Sequence, residues 1–136
     1  MTTAWAHLPN AALIDEVLAS VRAHPGKWNA ARHATWVVSQ GALWYTAWDA
    51  VQNAVRNAAR DAARNEAWNA AWTVAQNAAQ NMVWDTAWTT IATLIAYDDA
   101  GQFMKMPVEH LQRLHRIDPH PMYWLLQPAA VVFAKD

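Results

Sequence analysis

The sequence predicts an all-α protein: a compact bundle of five to seven helices around an alanine/tryptophan tetrapeptide-repeat core, forming a single domain over residues 1–136. Three observations predict it. Thirty of the 136 residues are Ala and only Gly26, Gly41 and Gly101 are Gly, a composition rich in helix formers and poor in tight-turn residues. Hydrophobic residues make up 54% of the chain and charged residues 15%, which is not the balance of a disordered chain. From Trp28 to Tyr97 a four-residue period runs without interruption.

The first helix is expected to follow Pro9-Asn10, with Asn10 as its N-cap. Leu13, Ile14, Val17, Leu18 and Val21 then recur at helical spacing as one apolar stripe. Arg22 and His24 suit the negative end of the helix dipole, and Pro25-Gly26 is expected to end the helix.

In the tetrad that follows, two small or aliphatic slots come first, as in Ala58-Ala59, Ala62-Ala63 and Ala70-Ala71. The third slot is large, holding Trp44, Trp48, Trp68, Trp72, Trp84 and Trp88 or Gln and Arg. The fourth is short and polar, mostly Asn, Asp or Thr. A helix turns about 100° per residue, so four residues overshoot a full turn by about 40°. Such a period is too long for supercoiling to absorb. A single 70-residue rod would be about 100 Å long with no constant buried face. The run must therefore be cut into shorter helices. Gly41 marks one break, closing a helix of residues 28–40. Trp44, Trp48 and Gln52 are echoed 24 residues later by Trp68, Trp72 and Gln76, which places another break near Arg64-Asn65-Glu66.

Asp98-Asp99-Ala100-Gly101 closes the repetitive part. Pro107 suits the first turn of a helix carrying Val108, Leu111, Leu114 and Ile117. Pro121 can open a last helix, which Pro128 is expected to kink or interrupt because it removes a donor and clashes with the preceding turn.

The pairing of Ala with Trp has a physical basis. Ala lets helices approach closely, and each Trp supplies roughly 150–250 Å² of buried area. The Trp pairs are read as core clamps first, and as a ligand groove or partner surface second. Buried indole N–H groups need acceptors, which the polar slots can supply. Those slots are read as a solvated helix edge or, alternatively, as a hydrogen-bond ladder between helices.

Candidate chemistry is sparse. The absence of Cys excludes disulfides, thiolate chemistry and sulfur-ligated zinc. A formal charge of −1 gives no general field for nucleic acid or an anionic membrane. The chain shows no secretion signal and no apolar stretch long enough to span a bilayer, so a cytoplasmic location is expected. Arg56, Arg60 and Arg64 form a same-charge row at four-residue spacing, suited to an acidic partner or to a solvated face balanced by Asp61 and Glu66. His110, His115, Asp118 and His120 are the nearest approach to a metal set, yet His110 and His115 diverge by about 140° on a helix. Asp98-Asp99 has no identifiable acid–base partner. No catalytic residue, cofactor site or metal site is expected.

The run from Ala58 to Trp72, AARDAARNEAWNAAW, resembles Ala-rich helical repeat proteins of bacteria and their phages. It is also similar to the alanine-rich putative immunity protein family, whose members are thought to neutralise toxins. The likeness covers about Trp44 to Asp99 and carries over no individual site residue. With the absent catalytic set, the compact size and the surplus of Trp, the expectation is a non-enzymatic protein-interaction module, an immunity-like inhibitor or phage accessory protein. Its partner would be another protein or a second copy in a homodimer, with Arg56, Arg60, Arg64, Trp68 and Trp72 as candidate contacts. A self-assembling helical subunit is the second expectation, and a small-molecule or metal-dependent enzyme the third.

Overall fold

The structure, a computed structural model, describes the backbone of residues 5–39, 42–58, 62–78 and 82–133. It describes the side chains of residues 5–33, 45–54, 65–74, 76 and 86–133. Eight helices occur among these: α1 (Ala11–Ala23), α2 (Pro25–Ser39), α3 (Ala42–Ala58), α4 (Ala62–Ala78), α5 (Met82–Ala96), α6 (Gly101–Met104), α7 (Val108–Ile117) and α8 (Pro121–Val132). No strand occurs among the described residues.

The count exceeds the expected five to seven for two reasons. Between Ala42 and Ala96 three helices form, α3, α4 and α5, where two were expected, and the short α6 follows Ala100. Arg64-Asn65-Glu66 lies inside α4 instead of at a break. Three successive helices of 17, 17 and 15 residues keep the drift of the tetrad to about 160° per helix. An apolar stripe survives that much rotation. At the other end of the run, α2 begins at Pro25, so this proline opens a helix rather than only ending one. A proline suits a first helical position because no N–H is needed there. His24 alone separates α1 from α2, with its N–H donating to Ser20 O at 2.7 Å.

α1 buries Ala11, Ile14, Val17, Leu18 and Val21, the stripe read from its spacing. Asn10 does not cap it through its side chain. Instead its Nδ2 donates to Leu94 O at 2.9 Å and Tyr97 O at 3.0 Å. The last carbonyls of a helix have no partner within it, and a buried amide carrying two donors satisfies those at the end of α5.

α8 is the central helix. Every residue from Met122 to Ala130 is buried, and α2, α3, α5, α6 and α7 pack around it. Pro128 lies within it and does not interrupt it. Its ring removes the donor that would reach Trp124 O, but packing holds the segment in place. Trp5, Ile14, Ile91, Leu94, Ile95, Leu125 and Leu126 are the large side chains of this centre, each at most 1% exposed. The repetitive segment adds Ala47, Val51, Ala67, Ala71, Ala87 and Trp88.

The polar slots behave differently from helix to helix. Asp49, Asn53, Asn65, Asn69 and Thr73 are exposed, a solvated edge on α3 and α4. On α5 the buried Thr89 and Thr93 hydroxyls donate to carbonyls of their own helix, at Thr86 (2.8 Å) and Thr89 (2.7 Å). Two indoles find their acceptors outside these slots. Trp5 Nε1 donates to Asp15 Oδ1 and Trp28 Nε1 to Ser20 Oγ, both on α1 and both at 3.0 Å. No helix among the described residues is long and apolar enough to cross a membrane.

Candidate interaction site

Thr46-Ala47-Trp48, Glu66-Ala67-Trp68 and Thr86-Ala87-Trp88 recur every twenty residues. Each Trp is the seventh residue of its helix, in α3, α4 and α5 respectively, and these three helices pack on one another. Side chains near the middle of neighbouring helices meet whichever way the helices run. The preceding alanines, Ala47, Ala67 and Ala87, are all buried and leave room for the rings.

The rings form one cluster. Trp68 meets Trp88 with centroids 4.4 Å apart at 66°, and Trp48 stacks on Trp68 at 6.4 Å and 24°. Trp48 reaches Trp88 edge-on at 6.5 Å. A fourth ring, Trp72, stands against Trp88 at 5.1 Å and 88°. Edge-to-face and offset arrangements at 4.5–7 Å are the favourable ones for aromatic quadrupoles. Trp88 is 1% exposed and its Nε1 has no hydrogen-bond partner, whereas Trp72 is 37% exposed. The cluster thus runs from a sealed indole to one that reaches water.

Of the residues singled out in the sequence, Trp68 and Trp72 are brought together around Trp88. Arg56, Arg60 and Arg64 lie outside the described side chains. The histidines do not converge. His115 packs on Trp124, centroids 3.9 Å apart, and burial lowers its pKa. His120 packs on Tyr97 at 4.7 Å. Among the described residues no three His, Asp or Glu side chains are placed to hold a metal ion. Asp98 and Asp99 are exposed in the turn after α5. Burial, then the Asp118 and Asp99 carboxylates, raise the pKa of the Tyr123 phenol.

Two open clefts flank Phe133 at the end of α8, and sequence spacing pointed to neither. One, of about 800 Å³, is lined by Lys105, Met106, Pro107, Val108, Glu109, Val131 and Phe133. The other, of about 500 Å³, includes Glu16, Ser20, His24, Lys27, Val132 and Phe133. Lys105 Nζ of the first pairs with Glu16 Oε1 of the second at 3.4 Å. No protein-family model, curated protein or solved structure matches the chain.

Proposed function

We propose that the chain is a non-enzymatic protein-interaction module that docks a partner protein on the outer face of α4, with Trp72 as the anchor. The observation that supports this most is the exposure of Trp72 at 37%, beside a Trp88 exposed by only 1%. Interface hot spots are enriched in Trp, Tyr and Arg and are ringed by polar residues. Asn65, Glu66, Asn69, Thr73 and Gln76 are exposed on the same helix and supply such a rim. Trp88 stands against Trp72 and is itself packed by Trp48 and Trp68, which limits the freedom of the Trp72 ring and lowers the entropy lost on docking. Arg56 and Arg64, whose backbone belongs to α3 and α4, stay candidate contacts for an acidic partner on the strength of their charge alone.

In this reading the Ala/Trp tetrads serve the clamp behind the anchor, and the protein acts in the cytoplasm as an immunity-like inhibitor or phage accessory protein. The test is a capture experiment from the native host with the wild-type chain and the Trp72→Ala variant, after circular dichroism shows that both fold alike. A partner held by the wild type and lost by at least tenfold in the variant supports the proposal. The same partner held equally by both removes Trp72 from the interface. Light scattering over a concentration series identifies the remaining case: a dimer abolished by Trp72→Ala makes a second copy of the chain the occupant.

A further inference from the structure

Met122 N–H is the first backbone donor of α8, because Pro121 at the first helical position has none. Its acceptor is His120 Nδ1, at 3.1 Å. The helix on which most of the bundle packs is therefore capped by an imidazole, where Ser, Thr, Asp or Asn is usual. An imidazole nitrogen accepts a hydrogen bond only while it carries no proton.

The same ring is a meeting point of several elements. It lies 4.7 Å from the Tyr97 ring at 72° and 5.9 Å from the Tyr123 ring at 56°. Tyr97 closes α5, and its carbonyl is one of the two held by Asn10 Nδ2 just before α1. Tyr123 in turn packs on Phe103 of α6 at 5.5 Å. His120 thus stands where the end of α5, the start of α1, α6 and the start of α8 converge.

We propose that His120 is a proton-operated latch for the N-terminus of α8. Protonation turns Nδ1 into a donor facing the Met122 donor, and it places a positive charge at the positive end of the helix dipole. The titratable groups in contact with the ring are Tyr97 at the end of α5 and Tyr123 on α8, and the Asp118 and Asp99 carboxylates act on Tyr123. Asp118 also accepts the His120 N–H through its carbonyl at 2.6 Å. Both phenols remain neutral where an imidazole titrates, between about pH 5 and 8. Protonation therefore ends the Met122 N–H bond to Nδ1 and unfastens the first turn of α8 from the Tyr97 hub.

Amide hydrogen exchange at Met122 in the full chain, measured at pH 8 and pH 5 and corrected for intrinsic rates, tests this. The wild type should lose protection at Met122 by tenfold or more on acidification, while Leu125 and Leu126 in the buried middle of α8 keep theirs. His120→Asn, whose amide oxygen caps without titrating, should hold Met122 protection at both values. Equal protection at the two pH values in the wild type, or the same loss in His120→Asn, overturns the proposal. A check that needs no variant is the nitrogen-15 spectrum of His120 at pH 8. A proton on Nε2 agrees with the latch, and a proton on Nδ1 refutes it.

Discussion

Gln127 lies in the middle of α8 at 0% exposure, and neither its Oε1 nor its Nε2 has a hydrogen-bond partner. A buried polar group left unpaired costs about 1–3 kcal/mol, whereas an apolar group of the same shape carries no such penalty. Gln127→Met preserves length and volume while removing both polar atoms. Two orphaned atoms set an upper figure of about 2–6 kcal/mol. Small movements that repack the new thioether return part of it, so a net gain of about 1–3 kcal/mol is expected. For a chain of this size that raises Tm by roughly 4–12 °C. Denaturant titration should show a higher midpoint with an unchanged slope, since the surface exposed on unfolding is the same, and calorimetry should show the rise in Tm. A loss of about 1 kcal/mol or more would mean that the amide holds hydrogen bonds which methionine cannot replace. The reasoning from orphaned atoms would then be wrong.

Three further outcomes follow from the packing. Gly101 opens α6 so close to the start of α1 that a Cβ there would lie 2.5 Å from Leu13 Cδ1 and 2.6 Å from Asn10 Oδ1. Leu13 can swing aside, but Asn10 is held by two hydrogen bonds, so Gly101→Ala should cost about 1–3 kcal/mol in chemical denaturation. Trp88→Ala, which empties the sealed centre of the Trp cluster, should cost about 3–5 kcal/mol in the same assay, and a loss below about 1 kcal/mol would show that the cluster is not part of the packed core. Burial lowers the pKa of His115 in the folded state. Its contribution to stability is then fully present above about pH 6.5, the ordinary value, and is lost as pH falls through the folded pKa. His115→Asn should flatten that acid limb of a stability–pH curve, and an unchanged limb would assign the acid dependence to other groups.

The helices flanked by proline were legible in the sequence, because proline and the apolar stripe each carry positional information. α1, α7 and α8 begin within a residue or two of where Asn10, Pro107 and Pro121 place them. The junctions after α3 and α4 were not legible. No Gly or Pro lies between Ala42 and Tyr97, and a period that rotates steadily around the helix marks no place to stop. The 24-residue echo of Trp pairs pointed to Arg64, whereas the helices follow a twenty-residue step visible in the threefold recurrence of Ala-Trp. Asn10 does stand at the N-cap position of α1, but the role of its side chain was not legible, for a different reason. A capping motif is local, while the carbonyl it serves in α5 is 84 residues away in the chain. Trp72 and Trp88 fill the same slot of the tetrad, so nothing in the repeat distinguishes the half-exposed indole from the sealed one. That difference arises only once α4 is laid on the outside of α1, α3 and α5.

The position of α8 has a consequence for biosynthesis. The helix that α2, α3 and α5 enclose follows all of them in the chain, so on the ribosome their sticky inner sides emerge before the segment that fills the space between them. A nascent polypeptide halted anywhere before Pro121 holds a shell without its axle. Such a species has the unsatisfied surface that chaperones bind and that drives clumping when they are scarce.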